Sequence, residues 1–505
     1  MTRDWFKPGR PIQLAITYTC LSAFVLFGWD QGVFGGLITN PDFLDIFHHP
    51  GPGFLGIIVS IYNVGCFLGC AINFFIGARF GRRHAIWAAM FCIALGAVIQ
   101  DSAYSVPQMM VGRIITGFGV GIDTSTVPMY QSELCKREHR GRLVTTEVLF
   151  TAVGVSMAYF FDYGMSFTSG PIAWRLPIAL QIPMAASVAL LVAGLPETPR
   201  WLIQQGRTEE GVAVLCKVWN TVPEDPLVET ETRDILKAIE LEEAEPFKWV
   251  RIFKRDPIQT GRRVFLACLV LFMNQWAGIN VIVFYSATVL EVNVGLSRNT
   301  AIVVGGCLNL AFAVGSLVPA LGADRLGRKK PMMFGAIGMG LSMMVVAILL
   351  SYNGTDKGKA TANVSIAFFI TYMLSFGASL NAIPWCYSTE ILPLRIRAQG
   401  TALAVFNNWI WVFVIVQITP TLVHNITWKT YLVFMAFNKN FAFVPMIYFW
   451  FPETKGLGLE EIDYIFLKSD RLPEEQGEHV ERVVMAESHG TPRSTEIDTR
   501  EKTSF

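Results

Sequence analysis

The sequence predicts an all-α membrane protein with twelve transmembrane helices arranged as two six-helix bundles. Three observations lead to this fold class. Of the 505 residues, 52% are hydrophobic and only 16% are charged, whereas soluble proteins carry about 25% charged residues. Apolar stretches near the ~20 residues needed to cross a bilayer recur along the chain. Basic residues are concentrated in alternate loops, as expected when a chain crosses a membrane repeatedly.

The apolar stretches fall into two blocks of six, which predict one bundle over 13–194 and another over 262–451. The predicted spans are 13–38, 54–77, 84–101, 107–131, 143–166, 172–194, 262–291, 297–322, 331–352, 363–391, 398–423 and 427–451. Between the blocks, 195–261 is charged and repeats its apolar residues at helical spacing, which predicts short amphipathic linker helices on the membrane surface.

Basic residues set the predicted orientation of the chain. The loops after even-numbered spans contain "RFGRRH", "KREHRGR", "RLGRKK" and "RIR", whereas 39–53 and 102–107 contain no lysine or arginine. By the positive-inside rule both termini are expected in the cytoplasm, with 1–12 as a short tail and 452–505 as a largely disordered one. The predicted glycosylation sites on the outer side are Asn353, Asn363 and Asn425.

Composition narrows the function classes. A net charge of +1 gives no indication of a nucleic-acid partner. None of the nine cysteines forms a CxxC pair, so no metal site is indicated. Nothing places a nucleophile beside a base and nothing indicates a cofactor, so we expect no catalytic residues and no enzyme. The expected partners are the lipid bilayer and a small molecule.

The two blocks repeat each other. "ARFGRR" at 78–83 recurs as "DRLGRK" at 324–329, and "PETPR" recurs as "PETKG" about 250 residues later. Glutamate precedes arginine by seven positions at Glu133 and Arg140, and again at Glu390 and Arg397. A six-span repeat keeps its orientation, so we expect an axis along the membrane normal and a substrate site between the halves at midplane.

These motifs carry a resemblance to a known family. The stretches concerned are Gly-Arg at 112–113, "PMYQSE", "RGR", "PETPR", "NQWAGIN", "DRLGRK", "IPW", "STEILPLRIR" and "PETKG". The chain resembles the sugar porter family of the major facilitator superfamily over essentially everything except its two tails. "GIDTSTVPMYQSE" and "YFFDYGMSF" resemble fungal members, including proton-coupled glycerol and hexose carriers. The resemblance implies the major facilitator fold and transport by alternating access.

The cytoplasmic repeats predict a charge latch that holds helix ends together when the carrier faces outward. Its predicted members are Arg79, Arg82, Arg83, Glu133, Arg140 and Glu197, mirrored by Arg325, Arg328, Glu390, Arg397 and Glu453. The alternative for any single arginine is plain positive-inside topology. Ala78 occupies the place of Asp324, where the family usually has an acid, so the first latch is expected to be looser.

The same resemblance implies a sugar site. It assigns Gln275 and Asn280 to the sugar, with Asn274 replacing a more usual glutamine. The other residues that it places along the cavity are Asn309, Trp385, Asn408 and Trp409. Amides both donate to and accept from hydroxyl groups, and aromatic rings cover the C–H faces of a sugar. The alternative is helix–helix bonding or interface anchoring.

Several positions depart from the family pattern. Val148, Gly377 and Val412 stand where relatives have polar side chains, so the substrate is expected to be smaller than an aldohexose or differently shaped, and polyols remain candidates. Asp123 and Glu147 add buried charges whose roles the sequence does not indicate. Lys439, also within a span, either snorkels or pairs inside the bundle, or attracts an anionic substrate.

Asp30 lies inside the first apolar run, where a carboxylate is costly unless it is paired, hydrated or protonated. Proton-coupled sugar porters resemble this chain in having aspartate there, and the resemblance makes Arg113 its partner. Together they are predicted to couple transport to a proton. The alternative is a permanent structural salt bridge.

The sequence therefore predicts a secondary active transporter that carries a hexose, pentose or polyol with a proton across a fungal plasma membrane. One alternative is an exporter or importer of a pathway metabolite or acidic sugar. The other is a non-transporting nutrient sensor on the same scaffold. Sensors of that kind usually have long signalling tails, so a tail of 54 residues favours transport.

Overall fold

The computed structural model describes six stretches of the chain, and within them every regular element is helical. The described residues are 5–136, 140–244, 256–393, 396–438, 443–455 and 461–467. Ten helices in these stretches are long and apolar enough to cross a membrane. Two further predicted spans complete the twelve-helix fold. One is Val106–Leu134, 29 residues long but more polar, and the other is the last predicted span, which includes positions 439–442 outside the described residues.

The amino-terminal half contains six spans close to their predicted positions. Spans 1 to 6 are Arg10–Leu37, Pro52–Phe80, Arg82–Asp101, Val106–Leu134, Arg140–Met165 and Ile172–Ala193. Proline stands in the first turn of several of them, where its missing N–H removes no helical hydrogen bond. A short helix, Pro41–Ile46, follows span 1, and its Asn40 cap accepts from the backbone N–H of Phe43.

The described part of the linker contains three helices. They are Pro199–Gln204, Thr208–Trp219 and Pro226–Ala244. Part of the segment predicted as the carboxy-terminal tail is also folded, since Glu461–Phe466 forms a helix. Its Asp463 carboxylate lies 2.5 Å from the guanidinium of Arg263 on span 7. Positions 468–505 lie outside the described residues.

The carboxy-terminal half repeats this arrangement, but spans 7 and 10 are each divided into shorter helical elements. Span 7 comprises Thr260–Trp276, Ile279–Val283, Ser286–Val289 and the π-helical turn Leu290–Val294. Spans 8, 9 and 11 are Arg298–Leu326, Lys329–Ser351 and Arg397–Asn425. Span 10 comprises Gly358–Phe376, the π-helical turn Gly377–Asn381 and Ile383–Glu390, and span 12 comprises Lys429–Ala436 and Phe443–Trp450.

The break in span 7 occurs at Gly278, whose φ of +95° belongs to the left-handed region that favours glycine. A side chain there would also contact the Phe434 ring, 2.8 Å from the added Cβ. The carbonyl of Ala277, freed from the helical ladder, accepts from the Tyr372 hydroxyl at 2.8 Å and the Asn438 amide at 2.9 Å. Spans 10 and 12 therefore satisfy the backbone at the break.

Close helix packing holds the amino-terminal bundle together. A Cβ added at Gly28 would lie 2.0 Å from the Thr151 carbonyl oxygen, and one at Gly154 would lie 2.2 Å from that of Val25. Spans 1 and 5 therefore meet at backbone distance, as small residues allow in membranes. We call the end of the bundle that carries the linker helices the linker face. The opposite end, with loops 38–51, 102–105, 166–171, 295–297, 352–357 and 426–428, is the loop face.

Candidate functional site

Four amide side chains meet at the middle of the carboxy-terminal half. The Gln275 amide nitrogen donates to Asn274 at 2.6 Å and to Asn408 of span 11 at 2.8 Å. Its oxygen accepts from Asn280, on the far side of the break in span 7, at 2.6 Å. The Asn274 amide donates in turn to the Leu380 carbonyl in the π-helical turn of span 10. All four amides are at least 94% buried. Through these hydrogen bonds the amide cluster links spans 7, 10 and 11.

Two of the three remaining residues predicted for the cavity carry polar side-chain atoms without a partner in the described part of the chain. Among the described residues, the Asn309 side-chain oxygen and the Trp409 indole N–H have no hydrogen-bond partner. Trp409 packs edge-on against Phe27 of span 1, with ring centroids 6.0 Å apart, so it lies between the halves. Trp385 is half-buried on span 10. Buried polar atoms without partners are costly, which is expected where a polar ligand binds.

Asp30 and Arg113 come together across spans 1 and 4. Their nearest charged atoms are 3.5 Å apart, and both side chains are buried. Neither carboxylate oxygen of Asp30 has a hydrogen-bond partner among the described residues. Arg113 is held independently, because it donates to the Val59 carbonyl at 2.9 Å. The pair predicted from the sequence is therefore present as a long ion pair, with the polar side chains of Tyr62 and Gln181 beside the carboxylate.

Sequence reasoning missed the residues that surround this pair. The Arg113 guanidinium lies 3.9 Å from the ring centroid of Phe34 and 4.5 Å from that of Tyr62. Aromatic faces attract a cation, so these rings hold the arginine whether or not Asp30 is charged. Gln181 of span 6 lies beside Asp30 and is fully buried. Its only signal in the sequence was a lone amide in an apolar run.

The predicted latch forms the same contacts in both halves. Arg82 pairs with Glu133 at 2.9 Å, and Arg328 pairs with Glu390 at 2.9 Å. Each arginine also lies at the start of a helix. Backbone N–H groups there donate to a glutamate that comes just after the last span of the same half. Glu197 accepts from the Arg82 N–H at 3.0 Å and from the Arg83 N–H at 3.1 Å. Glu453 accepts from the N–H of Arg328 at 2.8 Å and of Lys329 at 3.0 Å.

Charge and burial oppose each other at Glu197. Burial raises the pKa of its carboxyl group, and the N–H groups of Thr198, Arg83 and Arg82 act in the other direction. Such donors at a helix N-terminus are a favourable site for an anion.

Other predicted latch residues have different contacts. Arg140 pairs with Glu231 of the third linker helix at 2.9 Å. Arg397 donates to the Leu392 carbonyl at 3.4 Å. Arg79 is exposed at the end of span 2, and the side chain of Arg325 lies outside the described residues, as do Ala78, Asp324 and Lys439.

Hydrogen bonds between the halves lie toward the loop face. Tyr159 of span 5 donates to the Val283 carbonyl at 2.9 Å. Ser60 of span 2 donates to Gln417 of span 11 at 2.6 Å. Arg298, at the start of span 8, donates to Thr39 at 3.3 Å. These contacts close the loop face in this conformer.

Comparison with known proteins identifies the family to which this chain belongs. The Sugar (and other) transporter family matches residues 15–466 of the chain. The chain belongs to this family, within the major facilitator superfamily. The protein is therefore a multi-pass membrane transporter rather than an enzyme, and the expectation of the major facilitator fold is confirmed.

Fungal relatives match the transporter over almost its whole length. MFS-type transporter oryC of Aspergillus oryzae is 37% identical over 90% of this chain and 86% of the relative. Sugar transporter STL1 of Saccharomyces cerevisiae is 33% identical over 93% of this chain and 84% of the relative. Low-affinity glucose transporter HXT1 of the same yeast is 31% identical, covering 91% and 83%.

Solved structures share the fold. The proton:xylose symporter XylE with bound 6-bromo-6-deoxy-D-glucose is 21% identical, with a TM-score of 0.75, and the match covers 90% of this chain and 99% of XylE. The inward-open conformation of XylE from E. coli is 22% identical with a TM-score of 0.71, and the match covers 90% of this chain and 99% of XylE. At this identity the likeness supports the fold alone.

Proposed function

We propose that this transporter carries a sugar or polyol together with a proton, inward across a fungal plasma membrane. The proposal includes an orientation in the membrane in which the linker face is cytoplasmic and the loop face is outside. The buried Asp30–Arg113 pair, 3.5 Å apart, is the observation that carries the proton coupling. The amide cluster around Gln275 supports a polyhydroxy substrate, and relatives with the names sugar transporter and glucose transporter cover nearly the whole chain.

The amide cluster suits a ligand rich in hydroxyl groups. Its hydrogen bonds run from one side chain to the next, so a hydroxyl can replace any link without leaving an amide unpaired. Asn309 and Trp409 add an acceptor and a donor that are free among the described residues. Asn280 follows the break in span 7, so a ligand that bridges it to Gln275 connects the two parts of that span. Substrate binding and movement of span 7 are thereby linked.

The Asp30–Arg113 pair provides a two-state switch. Facing Arg113, the Asp30 carboxylate is stabilised by the opposite charge, whereas away from it in the dry bundle the protonated form is stabilised. A proton from outside then releases the arginine, which keeps its contacts with Val59, Phe34 and Tyr62. Loss of the proton to the cytoplasm restores the pair. Only the aspartate needs to change its state during the cycle.

The variant Asp30→Asn tests this switch because it keeps size and hydrogen bonding but fixes the neutral form. In proteoliposomes with an imposed pH gradient, we expect it to abolish uphill accumulation and pH dependence while exchange of substrate at equilibrium continues. Asp162→Asn, at another buried carboxylate, is the matched control. Accumulation equal to wild type would exclude Asp30 as the proton carrier. Loss of exchange together with a lower melting temperature would identify a structural salt bridge instead.

A second candidate substrate class is a pathway metabolite, either acidic or less polar than a sugar. Val412 is 97% buried at a position where the resemblance to sugar porters implies a polar group, and Gly377 packs against the Phe312 carbonyl. The oryC relative, 37% identical, has a name that gives no substrate. An uptake panel of hexoses, pentoses, glycerol and sugar acids, in cells without their own carriers, separates the two classes. Uptake confined to the acids would replace the sugar proposal.

The proposed orientation also has a direct test. Asn353 and Asn425 are exposed at the loop face, and Asn363 is exposed in the second turn of span 10. On our orientation all three face the outside, where sequons can be glycosylated. A glycosidase-sensitive change in gel mobility that disappears in the triple Asn→Gln variant supports it. Labelling of a linker-helix cysteine by an impermeant reagent in intact cells would contradict it.

A further inference from the structure

Besides Asp162, two buried carboxylates in the amino-terminal half have no role in the amide cluster or in the Asp30–Arg113 pair. Asp123 of span 4 and Glu147 of span 5 are 1% and 0% exposed. None of their four oxygens has a hydrogen-bond partner among the described residues. The two groups lie within electrostatic reach of each other. Two unpaired carboxylates in an apolar bundle cannot both stay charged.

Helix register places this acid pair relative to Asp30. Span 1 runs from the linker face and span 4 runs toward it. Cys20 precedes Asp30 by ten positions, and Asp123 follows Arg113 by ten positions, which corresponds to a shift of about 15 Å along each helix. Cys20 lies within electrostatic reach of both carboxylates. The acid pair therefore lies in the same seam as Asp30 and Arg113, closer to the linker face.

The fold itself does not require acids at these two positions. The spacing that relates Glu133 to Glu390 relates Asp123 to Leu380 and Glu147 to Ala404 in the other half. Leu380 and Ala404 are both fully buried. The equivalent helix contacts are thus made by apolar side chains in the carboxy-terminal bundle.

The surroundings point to a proton as the ligand. Cys20 and Cys135 are the titratable groups near the acid pair, with Tyr130 beyond Cys20 and Arg140 beside Cys135. Tyr130 donates to a backbone carbonyl at 2.7 Å, and Arg140 is paired with a linker glutamate at 2.9 Å. Among the described residues no group of three or more metal-binding side chains occurs. We therefore expect the negative charge of Asp123 and Glu147 to be neutralised by protons.

We propose that Asp123 and Glu147 form a second proton-binding site, which accepts the proton that Asp30 loses and releases it at the linker face. The inference rests on the proposed proton coupling. When the linker face opens and water enters the seam, one proton passes through that water from the Asp30 carboxylic acid to a carboxylate of the acid pair, over roughly 15 Å, and from there to bulk solvent. Asp30 is left as a carboxylate beside Arg113.

The site makes a kinetic prediction that differs from that for Asp30. Without the acid pair, proton release becomes slow, but the number of protons carried per substrate does not change. We therefore expect Glu147→Gln and Asp123→Asn/Glu147→Gln to slow proton-driven uptake about 10-fold or more. The final accumulation ratio and the rate of equilibrium exchange should stay at wild-type values. Imidazole inside the proteoliposomes, as a mobile proton acceptor, should restore the rate.

The outcomes separate this inference from the proposed function. Unchanged uptake rates in both variants would refute the site. A lower accumulation ratio would also refute it, since the acids would then carry a proton of their own. If exchange slows as much as uptake and imidazole has no effect, the acids are structural. Failure of the proposed function appears instead as wild-type accumulation by Asp30→Asn. The infrared carboxylic-acid band of the wild type, reduced by Glu147→Gln, is an independent measurement.

Discussion

Replacing Gln275 by alanine removes the centre of the amide cluster. Its side chain takes part in three hydrogen bonds, at 2.6, 2.8 and 2.6 Å, and is 6% exposed. A bound sugar can donate to the second lone pair of the Gln275 oxygen and can replace one of the two acceptors of its N–H groups, and a neutral hydrogen bond is worth about 0.5–1.5 kcal/mol. Two such bonds predict a loss of about 1–3 kcal/mol in substrate affinity, which is about 5- to 150-fold in Kd. The assay is substrate binding to the purified transporter.

The matched control is Asn407→Ala, one residue before the cluster member Asn408. Asn407 donates to the Cys268 carbonyl at 2.9 Å and accepts from the Trp411 indole at 3.0 Å, so it also bridges spans 7 and 11. We expect this control to lower the melting temperature without changing Kd. Unchanged Kd in Gln275→Ala, with the protein folded in the membrane, would refute the assignment of the amide cluster to the substrate. Equal losses of affinity in both variants would indicate a packing effect.

Three further predictions concern other residues. Trp385→Ala should weaken substrate binding through lost stacking area. A binding titration of the purified variant that gives the wild-type Kd would contradict this. Glu133→Gln and Glu390→Gln break equivalent 2.9 Å ion pairs, so each should lower the free energy of unfolding by about 1.5–3 kcal/mol. Thermal unfolding that responds to only one of them would show that the two latches differ. Lys439→Met should preserve substrate preference, whereas loss of uptake of acidic substrates alone would favour an anion site.

The spans were predictable because membrane helices must satisfy their backbone internally and expose apolar side chains to lipid. Predicted and observed boundaries agree within a few residues for most spans, including Arg140–Met165 and Arg298–Leu326. The break in span 7 was not predicted, although Gly278 was visible in "NQWAGIN". A glycine in a membrane helix serves close packing as often as it permits a positive φ, and the sequence alone does not distinguish the two.

The sequence proposed members for the candidate site but could not give their contacts. Family resemblance named Gln275 and Asn408, yet only the structure shows that they bond each other across spans 7 and 11. The rings around Arg113 could not be found, because Phe34 and Tyr62 look like ordinary apolar positions. Arg140 was assigned to the latch and instead pairs with the linker residue Glu231. The partners of each charged side chain depend on how the helices are rotated about their axes, and the loop motifs carry no information on that rotation.

The clamp on the break in span 7 bears on how such a carrier acquires new substrates. Tyr372 and Asn438 both hold the Ala277 carbonyl and so fix the angle between the two parts of the span. A change at either position alters the separation of Gln275 and Asn280 while both amides are retained. Evolution or engineering can therefore retune selectivity from a distance, through residues that no alignment of ligand-contacting positions would single out.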